Sequence, residues 1–299
     1  AMRILLVLAM MGWGLVWPLS KMLLAYGSPA QIASLRYLLV SVCFIPLMLC
    51  FKIPFSIPKP ARTPLLLTGA LNALYSYLMY VGMPYGDSGH AGVITEVLSP
   101  IIAALLWSAY TRQSLSASAH FGLALGVLAC AFLIDFFGNM RAIFNAFYMI
   151  YMLAALDWAL LMLASRKATH SLNAITLNFY SSLMTCALLS PALFLPDSSM
   201  LGVGAESSVM FLAALVDKPL AFYAFLALAA VFCTVFATTI FYKALFVLGV
   251  VEGGIYALLV PIFSLGFAYM LLGEIPSLST IIGGILAIIS IYLINYFKR

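Results

Sequence analysis

Three ionisable side chains stand inside long apolar runs of this sequence: Arg36, Glu96 and Asp157. A charge in hydrocarbon costs roughly 2.5–3.5 kcal/mol on insertion scales, so such residues pair, carry protons or meet a charged ligand. Arg36 and Glu96 both lie about 9 Å from the same end of their runs, at about 1.5 Å per residue. That match in depth allows two readings: an ion pair that locks two helices, or a site where one of the two meets a charged group of a solute. Asp157 lies nine residues before Arg166, which puts it roughly 13 Å deep, close to mid-run. It is either a carboxylate satisfied by hydroxyls and amides of neighbouring helices or a group that takes up and releases a proton.

Asn72, Tyr75, Ser76 and Met79 fall on one face of a helix and form a polar stripe. Such side chains bond a substrate or hold helices together. Trp13, Trp17, Tyr151, Trp158 and Tyr256 add aromatic surface, which suits planar or cationic solutes. No HExxH, no GxxxxGK[ST] and no nucleophile–base set occurs, so neither catalysis nor an intrinsic ATP engine is expected. The five cysteines are odd in number and lack CxxC spacing, which argues against disulfides and a zinc site. No cofactor and no metal is expected.

The elements that carry these residues follow from composition. Of 299 residues, 65% are hydrophobic and only 8% charged, with a mean hydropathy of +1.14. A soluble domain carries about 25% charged residues, so a soluble enzyme and a nucleic-acid binder are excluded; the partner surface is lipid. Ten apolar runs, each near the roughly 20 residues that span a bilayer, alternate with turn signals such as Tyr26-Gly27-Ser28-Pro29 and Gly273-Glu274-Ile275-Pro276. Helix is the form that satisfies backbone groups within each segment. With the N-terminus inside, ten basic residues fall on the cytoplasmic side and three, Lys21, Arg141 and Lys218, outside. This bias predicts cytoplasmic termini in an inner or plasma membrane. The longest connection, 196–219, then faces out, and Ser207–Val216 reads as a short helix on the membrane surface.

The chain also matches itself. An offset of 161 aligns Gly92 with Gly253, Pro100 with Pro261 and Gly122 with Gly283, and one of 145 aligns Trp13 with Trp158 and Lys21 with Arg166. The expected fold is all-α and membrane-embedded: ten transmembrane helices as two five-helix repeats, 1–136 and 141–299. Five is odd, so the second copy enters inverted, as in secondary transporters whose site lies near the midplane. Pro100 and Pro261 are expected at mid-helix kinks that serve gating.

Gly12-Trp13-Gly14, Leu35-Arg36-Tyr37 and Tyr242-Lys243-Ala244-Leu245 running on to Pro261, together with the repeat, resemble the EamA family of the drug/metabolite transporter superfamily. The resemblance covers essentially the whole chain. It implies a secondary transporter, not an enzyme, that moves a small organic metabolite by alternating access. An amino acid or related compound, exported, is the first reading. Import or exchange of a nucleoside-type metabolite such as S-adenosylmethionine is the second, and an intramembrane enzyme or channel the last. The expected partners are the solute, the bilayer and protons, with the chain a monomer or weak dimer.

Overall fold

The computed structural model describes residues 2–111, 117–138, 144–197, 210–248 and 256–296. The described residues form helices and hold no β-strand beyond one isolated bridge, Pro196 to Met210. The helices are α1 (Met2–Leu23), α2 (Pro29–Cys50), α3 (Arg62–Gly82), α4 (Ser88–Thr111), α5 (Ala117–Leu133), α6 (Ala146–Thr169) and α7 (Ala174–Leu189). They continue with α8 (220–248), α9 (Leu259–Leu272) and α10 (Leu278–Tyr296). Among the described residues six helical stretches are long and apolar enough to cross a membrane, and three shorter apolar helices accompany them. The starts and stops are written locally. Ser28 and Gln31 form a capping box before α2 with Pro29 at its first turn, Asn145 and Asn173 cap α6 and α7, and Gly273 ends α9 in the left-handed conformation (φ 68°). Each cap satisfies amides or carbonyls that lipid would leave bare.

The helices are apolar outside and mixed inside. On α2, Leu38, Val42, Ile45 and Leu49 face outward at helical spacing, while Arg36, Ser34 and Ser41 are buried among Val40, Phe44 and Met48. This is the arrangement a bilayer demands, with large aliphatic groups on the rim and polar groups where other helices can satisfy them. Packing runs between the two ends of the chain: α1 lies against α9 and α8, α2 against α7, α3 against α6 and α7, α4 against α6 and α9, and α5 against α10. The crossing of α1 and α9 is set by Gly14. A Cβ there would sit 2.4 Å from the Phe263 Cβ and 2.9 Å from its carbonyl carbon, so only glycine lets the backbones approach.

Two expectations change. The segment read as a surface helix is a single turn, Phe211–Ala214, followed by a 3-10 turn at Leu215–Asp217, with residues 207–209 outside the described residues. Phe211 and Ala214 are buried in the protein, with the Phe211 ring against Gly27 and Ile32. An Asp197–Lys218 ion pair of 2.5 Å pins the ends of the connection. An aromatic ring that fits a groove of its own protein gains contacts on every side, which the headgroup region does not give it. The prolines differ too. Pro100 lies inside an unbroken α4, whereas Pro261 is the third residue of α9, with a turn at Leu258 before it. That break fits the loss of the amide that would bond Ala257. Of the repeat partners, Gly253 lies outside the described residues.

Two outcomes test this arrangement. The connection at Ser56 and the turn at Tyr85, both exposed, sit at opposite ends of α3, about 30 Å apart along 21 residues. In a chain freed of its five cysteines, Ser56→Cys and Tyr85→Cys should react with an impermeant thiol reagent from opposite faces of a vesicle. Gly14→Ala should push α1 off α9 and lower thermal stability, by about 1–3 kcal/mol as overpacking does; an unchanged melting temperature would contradict the close crossing.

Candidate functional site

In the middle of the bundle, α1, α2, α3, α4, α6, α7 and α8 surround a small polar cavity. Each wall has a distinct chemistry. Trp13 from α1, Trp158 from α6 and Tyr75 from α3 form a continuous aromatic face: Trp13 and Trp158 meet edge to face at 6.1 Å and Tyr75 lies 4.6 Å from Trp158. Trp13 is held from behind by Phe241 at 4.6 Å and by its indole N–H, which donates to the Thr238 hydroxyl at 3.3 Å. Asn72 and Met79 complete the α3 side, and the Asn72 amide donates to Thr185 at 2.7 Å. On α7, Asn178 and Ser181 face the space, and the Asn178 amide nitrogen has no hydrogen-bond partner among the described residues.

The two charges in this cavity do not meet. Arg36 donates through Nε and Nη2 to the Thr234 hydroxyl (3.3 and 2.8 Å) and through Nη1 to the Tyr80 hydroxyl (3.4 Å). Glu96 lies instead beside the Tyr75 hydroxyl. The depth match between Arg36 and Glu96 therefore gives two occupants of one cavity, not an ion pair.

Of the residues singled out from sequence, Trp13, Arg36, Asn72, Tyr75, Met79, Glu96 and Trp158 line this space. Trp17, Ser76, Tyr151, Asp157 and Tyr256 do not. Trp17 is fully buried against Tyr151, Ser76 donates back to the Asn72 carbonyl, and Tyr256 packs beside the cluster of Leu6 and Met10. The Tyr151 hydroxyl donates to the Met79 carbonyl at 2.9 Å, and its ring fills the space that Gly82 leaves open. Asp157 is 3% exposed, and neither of its carboxylate oxygens has a hydrogen-bond partner among the described residues. Neither Pro100 nor Pro261 reaches the cavity. Sequence reading passed over Thr234, Thr238, Asn178 and Ser181. The signal was present: polar pairs four and three residues apart in apolar helices share a face.

One end of the bundle is latched. Lys21, at the last turn of α1, donates to the Gly86 carbonyl at 2.8 Å and pairs with Glu274 at 2.7 Å. The second Glu274 oxygen accepts from the Ser88 hydroxyl (2.9 Å) and the Gly89 amide (3.0 Å) at the start of α4. A carboxylate at a helix N-terminus also gains from the helix dipole. Glu274 thus ties the α9–α10 connection to the end of α1 and the start of α4. Burial pushes its carboxyl up, but the Lys21 ammonium and the Gly89 and Ser88 donors outweigh this and hold it below the usual carboxylate range.

The model of the EamA-like transporter family matches residues 2–135 and 145–296. The chain belongs to the EamA-like transporter family. An uncharacterized transporter of Archaeoglobus fulgidus is 25% identical over 296 residues, which is 97% of either chain. A solved crystal structure, 14% identical, superposes with a TM-score of 0.61 over 98% of this chain and 99% of that one, which shows a shared fold. As an EamA-like transporter the chain is an integral, multi-pass membrane protein of a transporter family, which is not an enzyme class.

The latch makes a prediction about pH. A carboxylate whose folded value is depressed adds stability above its unfolded value and loses it as pH falls through the folded one. Thermal stability of the EamA-like chain should therefore drop on acidification below the usual carboxylate range. Glu274→Gln should start lower at neutral pH and show a shallower drop; parallel profiles for the two proteins would remove Glu274 from the latch.

Proposed function

We propose that this protein is a secondary transporter that moves a small organic metabolite by alternating access through the central cavity. An amino acid or related compound, moved outward, is the favoured cargo. One observation carries the reading: a polar, aromatic-walled cavity lies between helices from both ends of the chain, with the Lys21–Glu274 ion pair at one end of the same bundle. A latch made of hydrogen bonds and one ion pair opens at a cost that solute binding can offset, which a packed apolar seal does not.

The proposal includes ten membrane-spanning helices as two inverted five-helix repeats, 1–136 and 141–299, with the 196–219 connection outside. The packing supports it. Exchange α1 with α6, α2 with α7, α3 with α8, α4 with α9 and α5 with α10, and the contact of α1 with α9 becomes that of α6 with α4. The contact of α3 with α6 becomes that of α8 with α1, while α2–α7 and α5–α10 map onto themselves. The two family matches of similar length, 2–135 and 145–296, support it as well. Such a pairing provides two related conformations, one for each exchange of roles between the halves. The same reading places both termini in the cytoplasm of a bacterial inner membrane and needs no partner beyond solute, lipid and coupling protons, in a monomer or weak dimer.

Asp157 is the proposed proton carrier. It is buried next to Trp158 of the cavity wall, with no described partner for either oxygen, and a carboxylate in that setting is cheapest when a proton accompanies it. A second cargo reading, import or exchange of a nucleoside-type metabolite such as S-adenosylmethionine, draws on the flat faces of Trp13, Trp158 and Tyr75 beside Glu96.

Purified protein in liposomes distinguishes these readings. Amino acids, nucleosides and cationic compounds are screened for thermal stabilisation, since a ligand that binds the folded state stabilises it, and hits are followed as flux. Saturable, concentrative or exchange transport supports the proposal; a chemically altered product or unsaturable flux refutes it. Asp157→Asn should abolish accumulation driven by a pH gradient and keep solute exchange, and full pH-driven accumulation in that variant would end the proton role.

A further inference from the structure

Helix α8 changes its hydrogen-bond register midway along its length. Leu220–Ala227 and Ala237–Leu248 are α-helical, but Leu228–Phe236 between them is a π-helix of nine residues. Such wide turns are rare and gather at functional sites. No proline or glycine occurs from 220 to 248, so no helix breaker accounts for the change of register.

The wide turn places the Thr234 side chain. Its hydroxyl donates to the carbonyl of Ala229, five residues back, at 2.9 Å, and accepts both Nε and Nη2 of Arg36. One donated and two accepted bonds use everything a hydroxyl offers. With the Tyr80 hydroxyl on Nη1, three of the five guanidinium N–H groups are committed to neutral oxygens. Two remain, on a side chain that lines the cavity and forms no salt bridge with a carboxylate among the described residues. Removing the extra residue of a π turn rotates the remainder of the helix by about 100°, one residue's share of a helical turn, and would carry Thr234 off Arg36.

We propose that the π-helical segment of α8 makes Thr234 the positioning residue of an anion site, in which Thr234 orients Arg36 to receive the carboxylate of the transported solute. This rests on the transport reading of the same cavity and adds to it a chemical requirement, a free carboxylate, and the residue that enforces it. A guanidinium with two free N–H groups and no ion-pair partner among the described residues, in a medium of low dielectric, is completed by a planar anion that accepts both.

The experiment pairs each of the twenty standard amino acids with its carboxamide and measures thermal stabilisation and liposome exchange for the full chain. Wild type is expected to prefer at least one acid over its amide. Thr234→Val, which keeps shape and loses the hydroxyl, should weaken apparent affinity for that acid roughly tenfold, as loss of a hydrogen bond to a charged group does, with the amide's response unchanged. Thr234→Ser should keep wild-type affinity, a rescue that a packing role for the side chain would not give. If Thr234→Val is not recovered folded, Arg36→Lys serves, since an ammonium keeps the charge but loses the planar fork; it too should lose the preference for acid over amide. Equal affinity of wild type and Thr234→Val for the acid overturns the proposal, as does failure of Thr234→Ser alongside Thr234→Val. Exchange of a solute with no preference for acid over amide overturns it and leaves the transporter reading standing. No binding and no exchange by any member of the panel overturns the anion site, and the transport reading fails separately if nucleosides and cationic compounds are also neither bound nor moved.

Discussion

Water is absent from the hydrocarbon layer, so a polar group there is satisfied by the chain itself or by what the chain binds. The molecule is arranged around that constraint. Arg36 is the extreme case: one guanidinium in the interior draws hydroxyls from two other helices, Thr234 of α8 and Tyr80 of α3. The α8 register that supplies Thr234 requires a stretch of π-helix. Ser76, Thr185, Ser181 and Thr68 solve the same problem more simply by bonding carbonyls three or four residues back in their own helices. Among the groups that find no hydrogen-bond partner among the described residues are both Asp157 carboxylate oxygens and the Asn178 amide nitrogen, with the Trp17 indole and several hydroxyls.

The constraint also separates the two kinds of closure. Around the cavity the contacts are rings and methyls, which hold the helices at fixed distances: Trp13 between Trp158 and Phe241, Gly14 against Phe263, Gly82 under Tyr151. At the end near Gly86 the contact is ionic, and Lys21 is still about one-third exposed. An ion pair in contact with water costs little to break, because water replaces each partner. Apolar contacts thus form the walls, and the ionic contact of Lys21 with Glu274 lies at one end of the bundle.

The separation of Arg36 from Glu96 gives the site its asymmetry. Opposite charges in one cavity attract, and here each is held on its own wall by phenolic and alcoholic hydroxyls, so neither neutralises the other. Glu96 aligns with Ala257 in the self-match of the chain, so its wall has no acidic twin. A cavity with a cation on one wall, a carboxylate on another and aromatic faces between them has chemically distinct ends.

Much of this was fixed by the order of residues. Composition and the length of the apolar runs determine a helical membrane protein, because a helix satisfies its backbone within each run of about 20 residues while a barrel needs short alternating segments, and the spacing of Asn72, Tyr75 and Met79 determines that they share a face. The caps at Ser28, Asn145 and Asn173 act within one turn of chain and are likewise local. The tertiary structure decided everything that depends on which faces meet. Depth along a helix is legible as a count of residues, so Arg36 and Glu96 were placed at one level; rotation about the helix axis is not, so their failure to pair was hidden. Asp157 and Trp158 are neighbours in sequence, yet a turn of about 100° puts the indole at the cavity and the carboxylate behind the wall. Thr234 reaches Arg36 only because the register of α8 shifts, and that shift comes from packing and hydrogen bonding across helices, with no breaker in the sequence to announce it.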